Sequence, residues 1–216
     1  HQPMAAEVFD RTFDPSVIER VDIDLPDAST TDPKLAFVLR NVLSREECER
    51  LIALSERNTY SAALINIGGG RQVLMTDVRN NDRYIRDDEE MADVMFQRLR
   101  PFLPTTWKNN KIVSLNERLR FLRYDPGQRF EPHYDGMFMR EHGPKAGERS
   151  YITVQLYLNE GFEGGETTFL SENGRVPVAY VPEIGSVLIF QHRLLHEGSA
   201  VRSGRKYTIR TDVMYR

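Results

Sequence analysis

Two kinds of periodicity divide the chain. As far as about residue 104 the clearest apolar patterns are helical, and beyond it short alternating runs dominate. Ser44-Arg45-Glu46-Glu47 reads as a capping box, and Cys48, Leu51 and Ile52 form the apolar stripe of a helix running to about Arg57. A second helix is expected from about Asp88 to Arg100. Acids crowd its first turn, Met91, Val94, Met95 and Leu99 make its core face, and Pro101 stops it. Leu35 to Leu39 predicts a short strand. Between Tyr60 and Asn81, two β-prone runs flank Gly68-Gly69-Gly70, which predicts a hairpin with a loose tip; the Gly-Lys-Ser/Thr ending of a phosphate loop is absent.

After Pro104, strands are expected at about 117–124, 130–135, 150–158, 166–170, 176–181, 186–190 and 206–214. Asp125-Pro126-Gly127-Gln128 and Gly164-Gly165 supply turns. In 151–158, Tyr151, Thr153, Gln155 and Tyr157 share one face, while Ile152, Val154, Leu156 and Leu158 share the other. In the last strand, Lys206, Thr208, Arg210 and Asp212 oppose Tyr207, Ile209 and Val213. The apolar faces need covering, which the two helices can supply. The polar faces meet solvent or line a cavity, and pattern alone does not choose. Helices followed by many short strands predict an α+β chain whose strands close into a double-sheet jelly roll buttressed by the N-terminal helices. Residues 1–34, with Pro15, Pro26 and Pro33 and little periodicity, read as an extended leader packed on one domain spanning 35–216.

Composition narrows the function classes. A chain of 216 residues fits one domain with a sizeable core. No apolar run approaches the ~18 residues of a membrane span, and a net charge of −3 makes no electrostatic case for nucleic acid or an anionic membrane. No basic-then-apolar stretch opens the sequence. Cys48 is the sole cysteine, so an internal disulfide is impossible and a reducing, cytoplasmic setting is the expectation. Its place on the helical stripe marks it as core.

The candidate chemistry begins at His133-Tyr134-Asp135, answered by His196. Two imidazoles and a carboxylate can hold a ferrous ion on one face and leave other positions open, the ligand set of non-haem iron oxygenases. Residues i and i+2 of an extended segment point to the same side, so His133 and Asp135 can grip one ion. The pair alone proves little: with 5 His and 32 acids, about 0.7 such His-x-acid pairs arise by chance.

The ordered set says more. Tyr124-Asp125-Pro126-Gly127-Gln128, His133-Tyr134-Asp135, Gly164-Gly165-Glu166-Thr167, and His196-Glu197-Gly198 leading to Lys206-Tyr207 resemble the prolyl 4-hydroxylase catalytic domain, over roughly residues 35–216. That domain is a branch of the Fe(II)- and 2-oxoglutarate-dependent dioxygenases. The resemblance implies a double-stranded β-helix with iron on His133, Asp135 and His196. It implies 2-oxoglutarate as cosubstrate, with Lys206 on its far carboxylate and Tyr124 and Thr153 as hydrogen-bonding partners. Dioxygen is the oxidant, succinate and carbon dioxide are released, and ascorbate is a candidate reductant. Arg205 stands at an offset where some members place the cation. Since neighbours on a strand face opposite ways, only one of Arg205 and Lys206 can enter the pocket.

Other readings stand beside these. His192, four residues before His196, could build a zinc site on a helix, but its surroundings read as strand and no Glu follows as in the zinc-protease motif; it is taken as structural or substrate-facing. His142 reads as solvated and Trp107 as core. Three function classes follow: hydroxylation of a prolyl residue in a peptide or protein, the same chemistry on a free amino acid or other small molecule, or a jelly-roll module without turnover. A peptide would need a groove between the Tyr60–Asn81 hairpin and the Met137–Arg149 loop.

Overall fold

Each half of the expected capping box is made. The Ser44 hydroxyl accepts from the Glu47 N–H at 3.1 Å, and the Glu47 carboxylate accepts from the Ser44 N–H at 2.9 Å, opening the helix Arg45–Glu56. Asp88 caps the helix Glu89–Leu99 through the Met91 N–H at 2.9 Å. Glu47 also tethers the two helices, since its buried carboxylate meets the Arg98 guanidinium at 2.7 Å. The computed structural model describes residues 4–216.

Ten strands form a major sheet and four a minor one. The major sheet runs Glu19–Asp22, Ala36–Arg40, Val187–Gln191, Arg149–Tyr157, Lys206–Tyr215, Arg118–Tyr124, Asp82–Asp87 and Ser61–Ala62. Asn110–Leu115 pairs with the far end of Lys206–Tyr215, and Thr106–Trp107 pairs with Asn110–Leu115. The minor sheet runs Phe130–His133, His196–Gly198, Thr167–Leu170 and Pro177–Tyr180. Pairings within both sheets are antiparallel, and the two sheets make the expected jelly roll.

The alternation assigns the layers. Ile152, Val154, Leu156, Ile209 and Val213 point to the helices and pack with Cys48, Leu51, Met91, Met95 and Leu99 in one buried core. Leu188 and Phe190 point the other way and join Tyr157, Phe169 and Tyr180 of the roll interior. Val187–Gln191 is apolar on both faces because it is covered on both. Ahead of residue 35, Ala5–Val8 is a short helix whose Val8 reaches the helical core, and Glu19–Asp22 adds an edge strand.

One expectation needs correction, and two strands were not foreseen. The strand beginning at Phe130 ends at His133, so Asp135 lies past it, fixed by its own N–H donating to the His192 carbonyl at 3.0 Å. Asp82–Asp87 and Asn110–Leu115 are strands that the pattern does not announce. In Asp82–Asp87 the signal is hidden by charges that bond across the sheet, Asp82 to Arg123 and Asp87 to Arg118. The triple glycine is the tip of the hairpin Ile65–Gly68 with Arg71–Val73, as expected.

Candidate active site

The minor sheet sets His133 directly opposite His196 in register, with ring centroids 4.3 Å apart. His133 Nδ1 lies 2.7 Å from the Glu131 carbonyl and His196 Nδ1 2.9 Å from the Leu194 carbonyl. A carbonyl only accepts, so in the neutral rings both Nδ1 atoms carry the proton and both Nε2 lone pairs are free. Asp135 Oδ1 faces them, 3.4 Å from His133 Nε2 and 3.5 Å from His196 Nε2. The three ligating atoms lie within 4.8 Å of one another, a spacing that suits one metal ion. Phe130 stacks on His133 at 3.7 Å, and Phe190 meets the His196 ring edge-on at 4.7 Å.

Electrostatics prepares the same ligand set. Burial opposes ionisation of Asp135, but the Arg210 guanidinium leads the groups that outweigh it and hold the carboxyl well below its usual range. Burial lowers the His133 pKa against the pull of Asp135, which favours the neutral ring a metal needs.

The second oxygen of Asp135 is held from behind. Oδ2 accepts from the Thr153 hydroxyl at 2.6 Å, and the Arg210 guanidinium lies 3.5 Å away. Thr153 Oγ1 is in turn 2.8 Å from His192 Nδ1, and His192 Nε2 is 2.9 Å from Ser150 Oγ. The Thr153 hydroxyl thus engages Asp135 and His192, while Gln155, one step along the same face, lines the cavity. These bonds also make His192 structural, with both ring nitrogens engaged and no place in the ligand cluster.

Lys206 and Arg205 separate cleanly. Lys206 is 1% exposed, lies opposite Tyr124 in register, and holds its ammonium 4.8 Å from the Tyr124 ring centroid and 5.9 Å from that of Tyr157. Among the described residues it has no ion pair. Burial pulls it down from 10.5 to about 8, opposed only by Glu166. A Cβ at Gly165 would come 3.3 Å from Lys206 Cδ, so the glycine leaves room for the lysine stem. Arg205 turns outward to Asp125 at 2.6 Å. Tyr124, Lys206 and the three candidate ligands line one cavity.

Of the remaining candidates, His142 is exposed, Trp107 packs against the helical core, and Cys48 is buried with its thiol pushed up to about 12. Arg79, Phe130 and Thr167 also line the cavity. Arg79 and Phe130 had no motif to announce them, and Thr167 was seen only as part of the Gly164-Gly165-Glu166-Thr167 run. A separate groove of about 1160 Å³, which shares no lining residue with this cavity, runs between Gly68–Gly70 and the exposed Met137, Phe138 and Met139.

Comparison with known proteins agrees with this geometry. The model of the 2OG-Fe(II) oxygenase superfamily matches residues 119–211. The chain is 30% identical over 206 residues to probable prolyl 4-hydroxylase 3 of Arabidopsis thaliana, covering 80% of this chain and 67% of that relative. It spans between about half and two thirds of the length of other curated relatives it matches. A viral collagen prolyl hydroxylase from Paramecium Bursaria Chlorella virus-1, solved as a 2OG complex, superposes with a TM-score of 0.59 at 24% identity, over 86% of this chain and 99% of that one. A Trichoplax adhaerens prolyl hydroxylase, solved with a hypoxia inducible factor peptide fragment, superposes at 0.61 and 17% identity, over 82% of each chain. The chain belongs to the 2OG-Fe(II) oxygenase superfamily, in its prolyl 4-hydroxylase branch. Fe(II), 2-oxoglutarate and dioxygen are the cofactor set of that family, and the buried His-Asp-His donor set fits a ferrous ion.

Proposed function

We propose that this protein hydroxylates a prolyl residue of a peptide or protein, with 2-oxoglutarate decarboxylated to succinate and carbon dioxide. The observation that carries the reading is one cavity holding a two-histidine, one-carboxylate donor set together with a buried lysine that forms no ion pair among the described residues. His133, Asp135 and His196 would hold the ferrous ion, which supplies the site for dioxygen and the oxidising power. Lys206 offers a fixed cation for the far carboxylate of 2-oxoglutarate, and Tyr124 a hydroxyl within the same cavity. Thr153 keeps one oxygen of Asp135 occupied, leaving the other for the metal. Phe130 and Phe190 wall the imidazoles and keep water from their flanks.

A peptide substrate is supported by the groove between the hairpin tip and Met137–Met139, and by the peptide bound to the Trichoplax neighbour. The test is turnover by the Fe(II)-loaded protein with 2-oxoglutarate and a panel of proline-containing peptides, set against free amino acids. Succinate formed in step with addition of one oxygen atom to a prolyl residue is expected. Tight coupling to a free amino acid, with every peptide inert, would overturn the reading. His133→Ala and Asp135→Ala should each abolish succinate formation while the protein stays folded.

A further inference from the structure

The inner face of the major sheet carries more cations than the metal site and cosubstrate use. Arg210 sits opposite Arg120 in register, and Arg83 lies opposite Leu122, which in turn faces Thr208. Arg79 lines the same cavity from the base of the hairpin. These guanidiniums repel one another: the Arg79 pKa is lowered to about 10 by burial first, with Arg210, Arg83 and Arg120 adding to the effect against Tyr124.

Their partners do not balance them. Arg79 donates to the Asn81 side chain and the Leu64 carbonyl, and Arg83 to the Gln72 side chain, all neutral oxygens. Buried Nη1 of Arg120 and buried Nε of Arg210 have no hydrogen-bond partner. Among the described residues, Arg79, Arg83 and Arg120 form no ion pair, and Arg210 has only Asp135 and Asp212, at 3.5 and 3.6 Å. Arginines nearby differ in carrying ion pairs, although Arg123 Nε and Arg140 Nε are likewise buried without a hydrogen bond. Arg118 pairs with Asp87, Arg123 with Glu56 and Asp82, and Arg140 with Glu117 and Glu148. Buried donors left open cost free energy unless a ligand meets them.

Charge balance says what that ligand is. Around the cavity and along the tract, the five cations Arg79, Arg83, Arg120, Lys206 and Arg210 face four carboxylates, those of Asp135, Glu197 and Asp212 together with Glu166, which acts on Lys206. A divalent metal and a dicarboxylate cosubstrate cancel each other, so the positive excess remains when both are bound. We propose that Arg79, Arg83, Arg120 and Arg210 form an anion-recognition tract beside the metal centre, and that the substrate places a carboxylate on it close in sequence to the hydroxylated residue. Arg210 begins the tract 3.5 Å from a candidate metal ligand, and an extended chain advances ~3.3 Å per residue, so that carboxylate belongs within a residue or two of the reacting one. The carboxylate can be an acidic side chain or a chain terminus. The reaction itself rests on the prolyl reading above; the binding preference does not.

The experiment measures peptide affinity by fluorescence anisotropy on protein loaded with Mn(II) and 2-oxoglutarate, and scores hydroxylation separately with Fe(II). Three peptides are compared: an amidated one with Glu next to Pro, the same with Gln, and one lacking acids that ends in a free prolyl carboxylate. A charge-assisted bond in a desolvated site should make a carboxylate-bearing peptide roughly tenfold to a hundredfold tighter than the Gln peptide, with the gap shrinking in high salt. Preference for the first peptide identifies an acidic side chain; preference for the third identifies a terminus. Arg120→Gln and Arg83→Gln, checked for folding by circular dichroism, should collapse the gap. Equal affinity of all three peptides for the wild-type protein overturns the proposal without needing any variant, as does a gap that survives in both folded variants. Tight carboxylate-dependent binding with no peptide hydroxylated would uphold the tract and reject the prolyl reading.

Discussion

Lys206→Met should stabilise the free protein while disabling cosubstrate binding. The ammonium is 1% exposed, has no ion pair among the described residues, and is pulled from 10.5 to about 8 chiefly by burial. That displacement corresponds to roughly 3 kcal/mol of destabilisation carried by the charged form. Methionine has similar length and no charge, so it removes this cost and keeps most of the packing. Below pH 8 the lysine is charged in both folded and unfolded chains, and the full penalty applies. Between about 8 and 10.5 the unfolded chain holds a proton that the folded one has released, so wild-type stability climbs with pH and the advantage of the variant shrinks. At pH 9.5 less than about half of it should remain. In thermal unfolding of metal-free protein, the variant should melt roughly 5–10 °C higher at pH 7 and approach wild type as the pH rises. The same substitution leaves a cosubstrate carboxylate unpaired and should weaken 2-oxoglutarate binding roughly 30-fold or more, whereas Arg205→Ala, which breaks outward-facing contacts with Asp125, Glu56 and Tyr207, should change it little. A variant no more stable than wild type at pH 7, or a difference that does not vary with pH, would refute the reasoning.

Thr153→Val removes the 2.6 Å bond to the outer oxygen of Asp135, and should weaken Mn(II) binding in an EPR titration about 10- to 100-fold with the fold intact; unchanged affinity would leave Thr153 without that role. Gly185 has φ +77, and a Cβ there would clash with the Leu43 carbonyl oxygen, so Gly185→Ala should lose at least about 2 kcal/mol in urea unfolding; a smaller loss would mean the backbone relaxes cheaply. At Gly68–Gly70 a Cβ would meet no atom within 4 Å, so amides there should exchange fast in the free protein and slow down when cosubstrate and peptide are both bound. Identical exchange in the two states would exclude ordering of this hairpin tip by substrate.

What the sequence determined by itself was everything that depends on near neighbours. The capping box at Ser44 and the alternation read in 151–158 and 206–214 are local, and each pointed to the right element or face, whereas the i,i+2 spacing of His133 and Asp135 picked the pair but not the end of the strand between them. Strand alternation alone separated Lys206 from Arg205 as inward and outward, although it could not say which was which. Tertiary structure decided the rest. Cross-strand register set His133 opposite His196, turned Thr153 onto Asp135, and aligned Arg210 with Arg120. It also made a strand of Asp82–Asp87, whose terminal carboxylates Asp82 and Asp87 are satisfied by residues more than thirty positions away. Register and cross-sheet pairing are relations between distant segments, and a local pattern of apolar and polar positions does not contain them.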